Sequence, residues 1–467
     1  MTVLPAPAAA GRMTGRQRLV LTLLLGSQFM LAVDFSILNV ALPVIGAGLG
    51  FALADLQWVA TAFALPAAGF TLLSGRIADL FGRRRLFLAG MALLGVASLA
   101  GGLASSPAAL LAARVAQGLA TAIVTPAGLS LLTTSFQEGP LRERALGLNG
   151  ALMSAGFTSG AVLGGVLTEL LSWRWAFLIN VPVALAVVAV APLLLKESRP
   201  DRRPAVDVPG AAAVTAGLLA LVYGLTRAGE HGFADPLAVA ALAAGAALLV
   251  AFWFVERRAA APLVPVAIMS RRAVALGNLA GLVAFATETS LVFLMTLYLQ
   301  KVLGYSALAT GLAFGVLGLG TVLGGVAAPR VLRAAGPARA LAGGFALQAV
   351  ATAALALLGT GTASLWLLPA ATFAGGVGNM VAIVAFMVTA TSGLPDSEQG
   401  LATGLATMTQ QVGITMGIPV MSAVVTAAMG SGSVLQGVTV AVLVNAALAL
   451  AAAFIRPHRS AISNALR

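Results

Sequence analysis

The sequence predicts an all-α integral membrane protein of fourteen spans, two groups of six helices with two additional transmembrane helices between them. Three observations carry that prediction. Of the 467 residues 60% are hydrophobic and 9% charged, against roughly a quarter charged in ordinary soluble domains. Apolar stretches long enough to cross a hydrocarbon core of roughly 30 Å recur along nearly the whole chain, and the mean hydropathy is +1.00. Short segments of alternating polarity, the mark of a membrane barrel, do not appear, so backbone polar groups must be satisfied within helices.

Charged, Pro and Gly-rich interruptions then set the spans in order. Residues 1–18 form a basic tail, and span 1 covers 19–43. It is too long for a signal-peptide core and contains Asp34, so it is expected to be retained. Spans 2 and 3 (56–76, 86–104) flank the basic loop GRIADLFGRRR, and spans 4 and 5 (108–133, 144–171) are parted by Arg142 and Arg144. Span 6 (175–195) runs into KESRPDRRPAVD, closing an N-terminal six-helix bundle over 19–195. Residues 196–273 hold the two additional spans (209–227, 236–255) and a second basic stretch, ERRAAAPLVPVAIMSRRA. The C-terminal six-helix bundle, 274–455, takes the spans near 274–300, 308–331, 339–358, 364–391, 399–429 and 435–455, and 456–467 is a tail.

Of the 27 Lys and Arg residues, all but Arg114, Arg174, Arg227 and Lys301 fall on the side shared by the two tails. Short loops rich in Lys and Arg stay cytoplasmic, so both termini are expected inside a multi-pass cell-membrane protein. The formal charge of +12 is thereby a topology signal and implies no nucleic-acid partner. Cys is absent and the two histidines, His231 and His458, lie in a loop and a tail, so neither a metal site nor a cofactor is expected.

Ionisable residues inside spans are the most informative, because each costs about 2.5–3.5 kcal/mol on insertion scales and needs a partner or a task. There are three: Asp34, Arg114 and Glu288. At 1.5 Å per residue, Asp34 lies about 14 Å from the outer end of span 1 and Arg114 roughly 10 Å from the outer start of span 4. Glu288 lies about 24 Å above the cytoplasmic Arg272, which places all three in one slab. Burial disfavours the charged form of a carboxylate and a nearby guanidinium favours it, so its protonation can respond to the side on which a cavity opens. The alternatives are a carboxylate hydrogen-bonded between helices for Asp34, a bundle clamp for Arg114 and a snorkelling side chain for Glu288.

The loop spacing G-x-x-R-x-x-x-x-G from Gly82 to Gly90 returns from Gly336 to Gly344, a faint repeat of the kind transporter halves show. AVDFSILNVALP, with Asp34 to Pro43 at its core, resembles the first-span signature of the fourteen-span drug:proton antiporter family of the major facilitator superfamily. GRIADLFGRRR (Gly75 to Arg85), RVAQG (Arg114 to Gly118), LSWRWAFLINVPV and YLQKVLGYSALATG are similar to further signatures of that branch, and together they cover essentially the whole chain. The resemblance implies proton-coupled export of amphipathic small molecules, drugs or antibiotics and other secondary metabolites, by alternating access. It implies proton handling by Arg114, which with the intramembrane carboxylates Asp34 and Glu288 gives three candidate coupling groups powered by the proton gradient. It also implies a conformational latch made by Gly75, Asp79, Gly82, Arg83, Arg84 and Arg85, whose plainer reading is a basic turn that only sets topology.

In span 5, Gly156, Gly160 and Gly164 fall on one face with Gly165 beside them, a small-residue stripe suited to close helix packing or a hinge. Gly311, Gly315, Gly320 and Gly324 offer span 10 as its partner. Ala161 stands where the family's antiporter signature usually has Pro. If the two extra middle spans are peripheral, as the resemblance implies, the cavity lies between spans 1, 4, 9 and 12 and would use Gln28, Phe35, Asn39, Gln117, Phe293, Asn379 and Phe386. Mostly apolar walls with a few amides and acids suit amphipathic, often cationic or aromatic, molecules. The expected partners are thus a small-molecule substrate, protons and the lipid bilayer, with the chain acting as a monomer. An importer or uniporter in the same fold is the alternative. A membrane enzyme finds no metal cluster, nucleophile elbow or phosphate loop, and a channel or sensor would not need paired halves.

Overall fold

Helix ends follow local chemistry. Thr14 and Gln17 form a capping box, each side chain bonding the other's backbone N–H, so α1 (Gly15–Leu49) starts before the apolar span does. At later helices the Ser106, Asp207, Asp235, Ser306 and Ser433 side chains each accept from the N–H three residues on. In a computed structural model the described residues are 13–51, 56–136, 140–197, 207–259, 262, 266–361, 364–391, 396–429 and 432–455.

The N-terminal half continues with α2 (Gln57–Phe81), α3 (Arg83–Gly102), α4 (Pro107–Ser135), α5 (Pro140–Leu170), the short turn α6 (Trp175–Leu178) and α7 (Asn180–Leu194). Pro182 cannot donate to the Leu178 carbonyl, which accounts for the break between α6 and α7 inside the sixth span. A hairpin of α8 (Val208–His231) and α9 (Pro236–Glu256) comes next, then the short α10 (Val266–Met269). The C-terminal half is α11 (Arg272–Leu297), α12 (Ala307–Ala335), α13 (Pro337–Ala354), α14 (Ser364–Thr391), α15 (Asp396–Met429) and α16 (Val434–Ala453). Among the described residues twelve segments are long and apolar enough to cross a membrane. Fourteen spans are compatible with this order, since α2 and α5 are as long as their neighbours.

The halves repeat one packing scheme. α1 lies on α5, α2 on α4, and α3 on α4 and α7; correspondingly α11 lies on α15, α12 on α14, and α13 on α14 and α16. Gly82 and Gly336 occupy equivalent turns, at φ +109° and +80°, and each ends its helix by bonding a carbonyl four residues back. A side chain would be strained at either, so the faint loop repeat marks a shared backbone requirement.

The halves meet along two seams, α5 against α12 and α2 against α15. Gln300 Nε2 donates to the Val40 carbonyl at 3.1 Å. α5 meets α12 so closely that a Cβ on Gly165 would lie 2.5 Å from the Ala307 carbonyl, and one on Gly311 2.9 Å from that of Ala161. The two small-residue stripes therefore do meet, at Gly165 and Gly311. Gly156, Gly160 and Gly164 instead face the α1 backbone at Phe29, Val33 and Ile37, while Gly320 and Gly324 face α14.

The α8–α9 hairpin touches both halves. Thr215 Oγ1 donates to the Gly69 carbonyl at 2.7 Å, the Thr61 and Thr226 hydroxyls are 3.3 Å apart, and Trp58 lies 6.2 Å from Tyr223 between ring centroids. These tie α8 to α2. On its other side Val214 and Leu218 join Leu405 and Val412 of α15 in one apolar cluster.

Candidate functional site

Asp34 on α1 and Arg114 on α4 come together in the interior of the N-terminal half, 0% and 1% exposed. Arg114 Nη1 is 3.4 Å from Asp34 Oδ2. Four helices complete the nest. Gln117, one turn along α4, donates to Asp34 Oδ1 at 3.0 Å and to Ser98 Oγ of α3 at 2.9 Å, and accepts from Arg114 at 2.8 Å. Asn180, the first residue of α7, donates to Asp34 Oδ1. From α2 the Val59 carbonyl accepts from Arg114 Nε at 3.0 Å, and the Phe63 ring underlies the guanidinium at 4.3 Å. A buried ion pair persists only with such added bonds, because desolvation offsets much of its Coulomb attraction.

A cavity lies between the halves. The N-terminal half contributes Leu31, Ala32 and Phe35 of α1, Phe63 of α2, Thr121 and Thr125 of α4, and Met153 and Phe157 of α5. The C-terminal half contributes Phe285, Glu288 and Thr289 of α11 with Gln410, Gln411 and Ile414 of α15. Phe35 sits 5.8 Å from Phe63 and 6.0 Å from Phe157, so one wall is aromatic. Glu288 is the ionisable group of this lining. The separation of Asp34 and Glu288 along the chain equals that of Gly82 and Gly336, so the two acids hold corresponding positions in the two halves.

The sequence-predicted cavity residues separate into several places. Phe35 lines the cavity. Gln117 belongs to the Asp34 nest. Gln28 donates to the Thr125 carbonyl at 3.2 Å, and Asn379 to the Ala284 carbonyl at 3.0 Å, each joining two helices. Phe386 stands edge-on behind Phe285 at 6.3 Å, and Phe293 packs on an apolar cluster of the C-terminal half. The Asn39 side chain lies outside the described residues, as does that of Asp79.

In the Gly75–Arg85 loop, Gly75 packs against Pro126 of α4. The Arg84 N–H donates to Glu197 Oε1 at 3.1 Å and its Nη1 to the Leu195 carbonyl at 3.0 Å, while Arg85 lies 3.9 Å from Glu197 Oε2. Arg83 opens α3 directly after Gly82. Arg76 reaches the Pro262 carbonyl at 2.5 Å, tying the loop to the segment after α9. His458 falls outside the described residues, as do residues 1–12 and 456–467.

Several residues of these sites were not singled out by the sequence. Ser98 and Asn180 are neutral polar groups in spans rich in them, although Asn180 does stand within LSWRWAFLINVPV. The Gln410–Gln411 pair was a usable signal, two adjacent amides in an apolar span. Phe63 and Phe157 gave none, because an aromatic in such a span is ordinarily packing.

Two repeated helical halves around a central cavity with buried charges define a membrane carrier of small molecules. The profile of the Major Facilitator Superfamily matches residues 24–418, and the chain belongs to that superfamily. It is 41% identical over 447 residues to a cephamycin export protein of Amycolatopsis lactamdurans, covering 93% of this chain and 90% of that one. It is 39% identical over 415 residues to a puromycin resistance protein of Streptomyces alboniger, covering 87% and 82% respectively. The crystal structure of a human organic anion transporter matches with a TM-score of 0.62 at 17% identity, over 95% of this chain and 100% of that one, which bears on the fold alone.

Proposed function

We propose that this chain exports small amphipathic molecules, antibiotics or related secondary metabolites among them, across the cell membrane in exchange for protons. The similarity to cephamycin export and puromycin resistance proteins supports the direction and the cargo class. The observation that carries proton exchange is the fully buried Asp34–Arg114 pair beside the cavity. While Asp34 is charged it accepts from Arg114, Gln117 and Asn180. A proton on Asp34 removes the anion and leaves Arg114 to the Val59 carbonyl, the Gln117 amide oxygen and the Phe63 ring. Breaking a buried pair from one side typically costs about 3–5 kcal/mol, enough to bias which way two packed halves lean.

Glu288, alone among amides, hydroxyls and aromatic rings, is the second proton-handling group and the contact for a positive charge on the cargo. Gly165 with Gly311 forms the seam on which the halves rock, Gly156, Gly160 and Gly164 hold α5 against α1, and the Gly75–Arg85 loop with Asp79 is the latch on the cytoplasmic side. The chain works as a monomer with both termini in the cytoplasm, needs no cofactor beyond the proton gradient, and takes no nucleic acid.

The test is ethidium efflux from cells carrying the wild type or Asp34→Asn at equal membrane abundance, with and without a protonophore. Protonophore-sensitive efflux in the wild type and its loss in Asp34→Asn are expected. Gradient-driven efflux that persists in the variant rules out Asp34 as the coupling group.

A further inference from the structure

Phe63 belongs to two environments at once. Its ring forms part of the cavity wall, and the same ring lies 4.3 Å under the Arg114 guanidinium. Neither Asp34 nor Arg114 lines the cavity. The charged pair and the cargo space are therefore neighbours without being continuous, with an aromatic ring between them. Phe35, next in the chain to Asp34, meets Phe63 from the cavity side at 5.8 Å.

The backbone beneath Phe63 is held in place and yet has one weak point. α4 crosses α2 at Gly118, where a Cβ would strike the Phe63 carbonyl and come within 2.6 Å of Pro66. One turn before Phe63, the Val59 carbonyl is fixed by Arg114. Pro66 has no N–H for the Ala62 carbonyl, so α2 is free to bend at the turn that carries the ring.

The face of a phenyl ring attracts a guanidinium but has neither the donor nor the acceptor needed to pass a proton. Such a ring keeps the cation in place and keeps water out. We propose that Phe63 is a septum between the proton site and the cargo site, a positioning residue that keeps the Asp34–Arg114 pair from cavity water until cargo displaces the ring. Asp34 then exchanges a proton with water, and no other bond changes. This rests on the reading of Asp34 as the coupling carboxylate and adds a reason why protons do not cross without cargo.

The experiment needs no cargo. Purified protein is placed in liposomes with a trapped pH-sensitive dye, a pH gradient is imposed, and the membrane potential is clamped with valinomycin and potassium. The wild type holds the gradient. Phe63→Ala dissipates it about tenfold faster, within the usual range for coupling between two sites. Phe63→Leu, which keeps much of the volume but no ring face, also leaks, and Phe63→Trp restores a tight membrane. Adding Asp34→Asn to Phe63→Ala closes the leak again.

A tight Phe63→Leu overturns the septum even where Phe63→Ala fails to fold, and so does a leak that persists after Asp34→Asn. Ethidium export distinguishes the underlying reading. If Asp34→Asn in the otherwise unchanged chain still exports against the gradient, the proton role falls and the septum with it. A tight Phe63→Leu beside a dead Asp34→Asn removes the septum alone.

Discussion

At the scale of single residues, burial is tolerated where each polar atom meets a partner. Asp34 takes three donors from α4 and α7, and Arg114 reaches a carbonyl of α2, so the pair joins four helices of one half. The charges themselves were legible because membrane spans rarely carry any. Their neutral partners were not, since nothing in the spacing of Ser98 or Asn180 tells which polar side chain turns toward a charge. Outside the spans, hydrogen bonds from Arg227, then from the Ala238 N–H, hold the Asp235 carboxyl below the ordinary carboxylate range. Such a group contributes stability that is present above its unfolded pKa and lost as pH falls through its folded pKa. Asp235→Asn, which keeps a capping side chain, is expected to lower the Tm in detergent at about pH 7, with the deficit shrinking as pH falls below the unperturbed carboxylate range of about 4. A deficit unchanged with pH would mean that the ion pair is not the source of the effect.

Among elements, the close pairings depend on absent side chains. α1 and α5 approach at Gly156, Gly160 and Gly164 until backbone meets backbone, and α5 and α12 do so at Gly165 and Gly311. In the second seam a side chain acts as a wedge between the halves. Gly311→Leu is expected to cut export roughly tenfold or more, because overpacking typically costs about 1–3 kcal/mol and here falls on one conformer. Gly343→Ala is the control, as a Cβ there meets nothing within 4 Å. Equal efflux from both would mean that the seam does not need to close. The glycine spacing was readable from the chain, but the partner of each face was not. Three of the four span 5 glycines turn to α1, and only Gly165 of that group meets α12. The kinked sixth span was hidden for a different reason, since hydropathy runs unbroken across Pro182 while the hydrogen-bond ladder does not.

For the whole molecule, the all-helical order was legible in apolar length, twelve of the described segments being long and apolar enough to cross a membrane, and the duplicated packing was faintly present in two glycine turns. How the additional pair sits could not be read, because the Ala-rich composition of this stretch blurs the ends of its spans. The structure sets α8 against both halves, with hydrogen bonds to α2 and apolar side chains toward α15. Because the chain has no cysteine, Thr61→Cys with Thr226→Cys gives a clean pair for oxidative cross-linking. The bridge is expected to form and to leave ethidium efflux unchanged. Loss of efflux on oxidation, reversed by reductant, would mean that α8 shifts against α2 during the cycle.

That unequal attachment has a mechanical meaning. The hairpin is keyed to one moving body and greased against the other, as a bearing shell is. Apolar contact has no preferred direction, so α15 can slip along Val214 and Leu218 without a fixed register. Two helices can thereby shield the joint from lipid while adding little friction to each stroke.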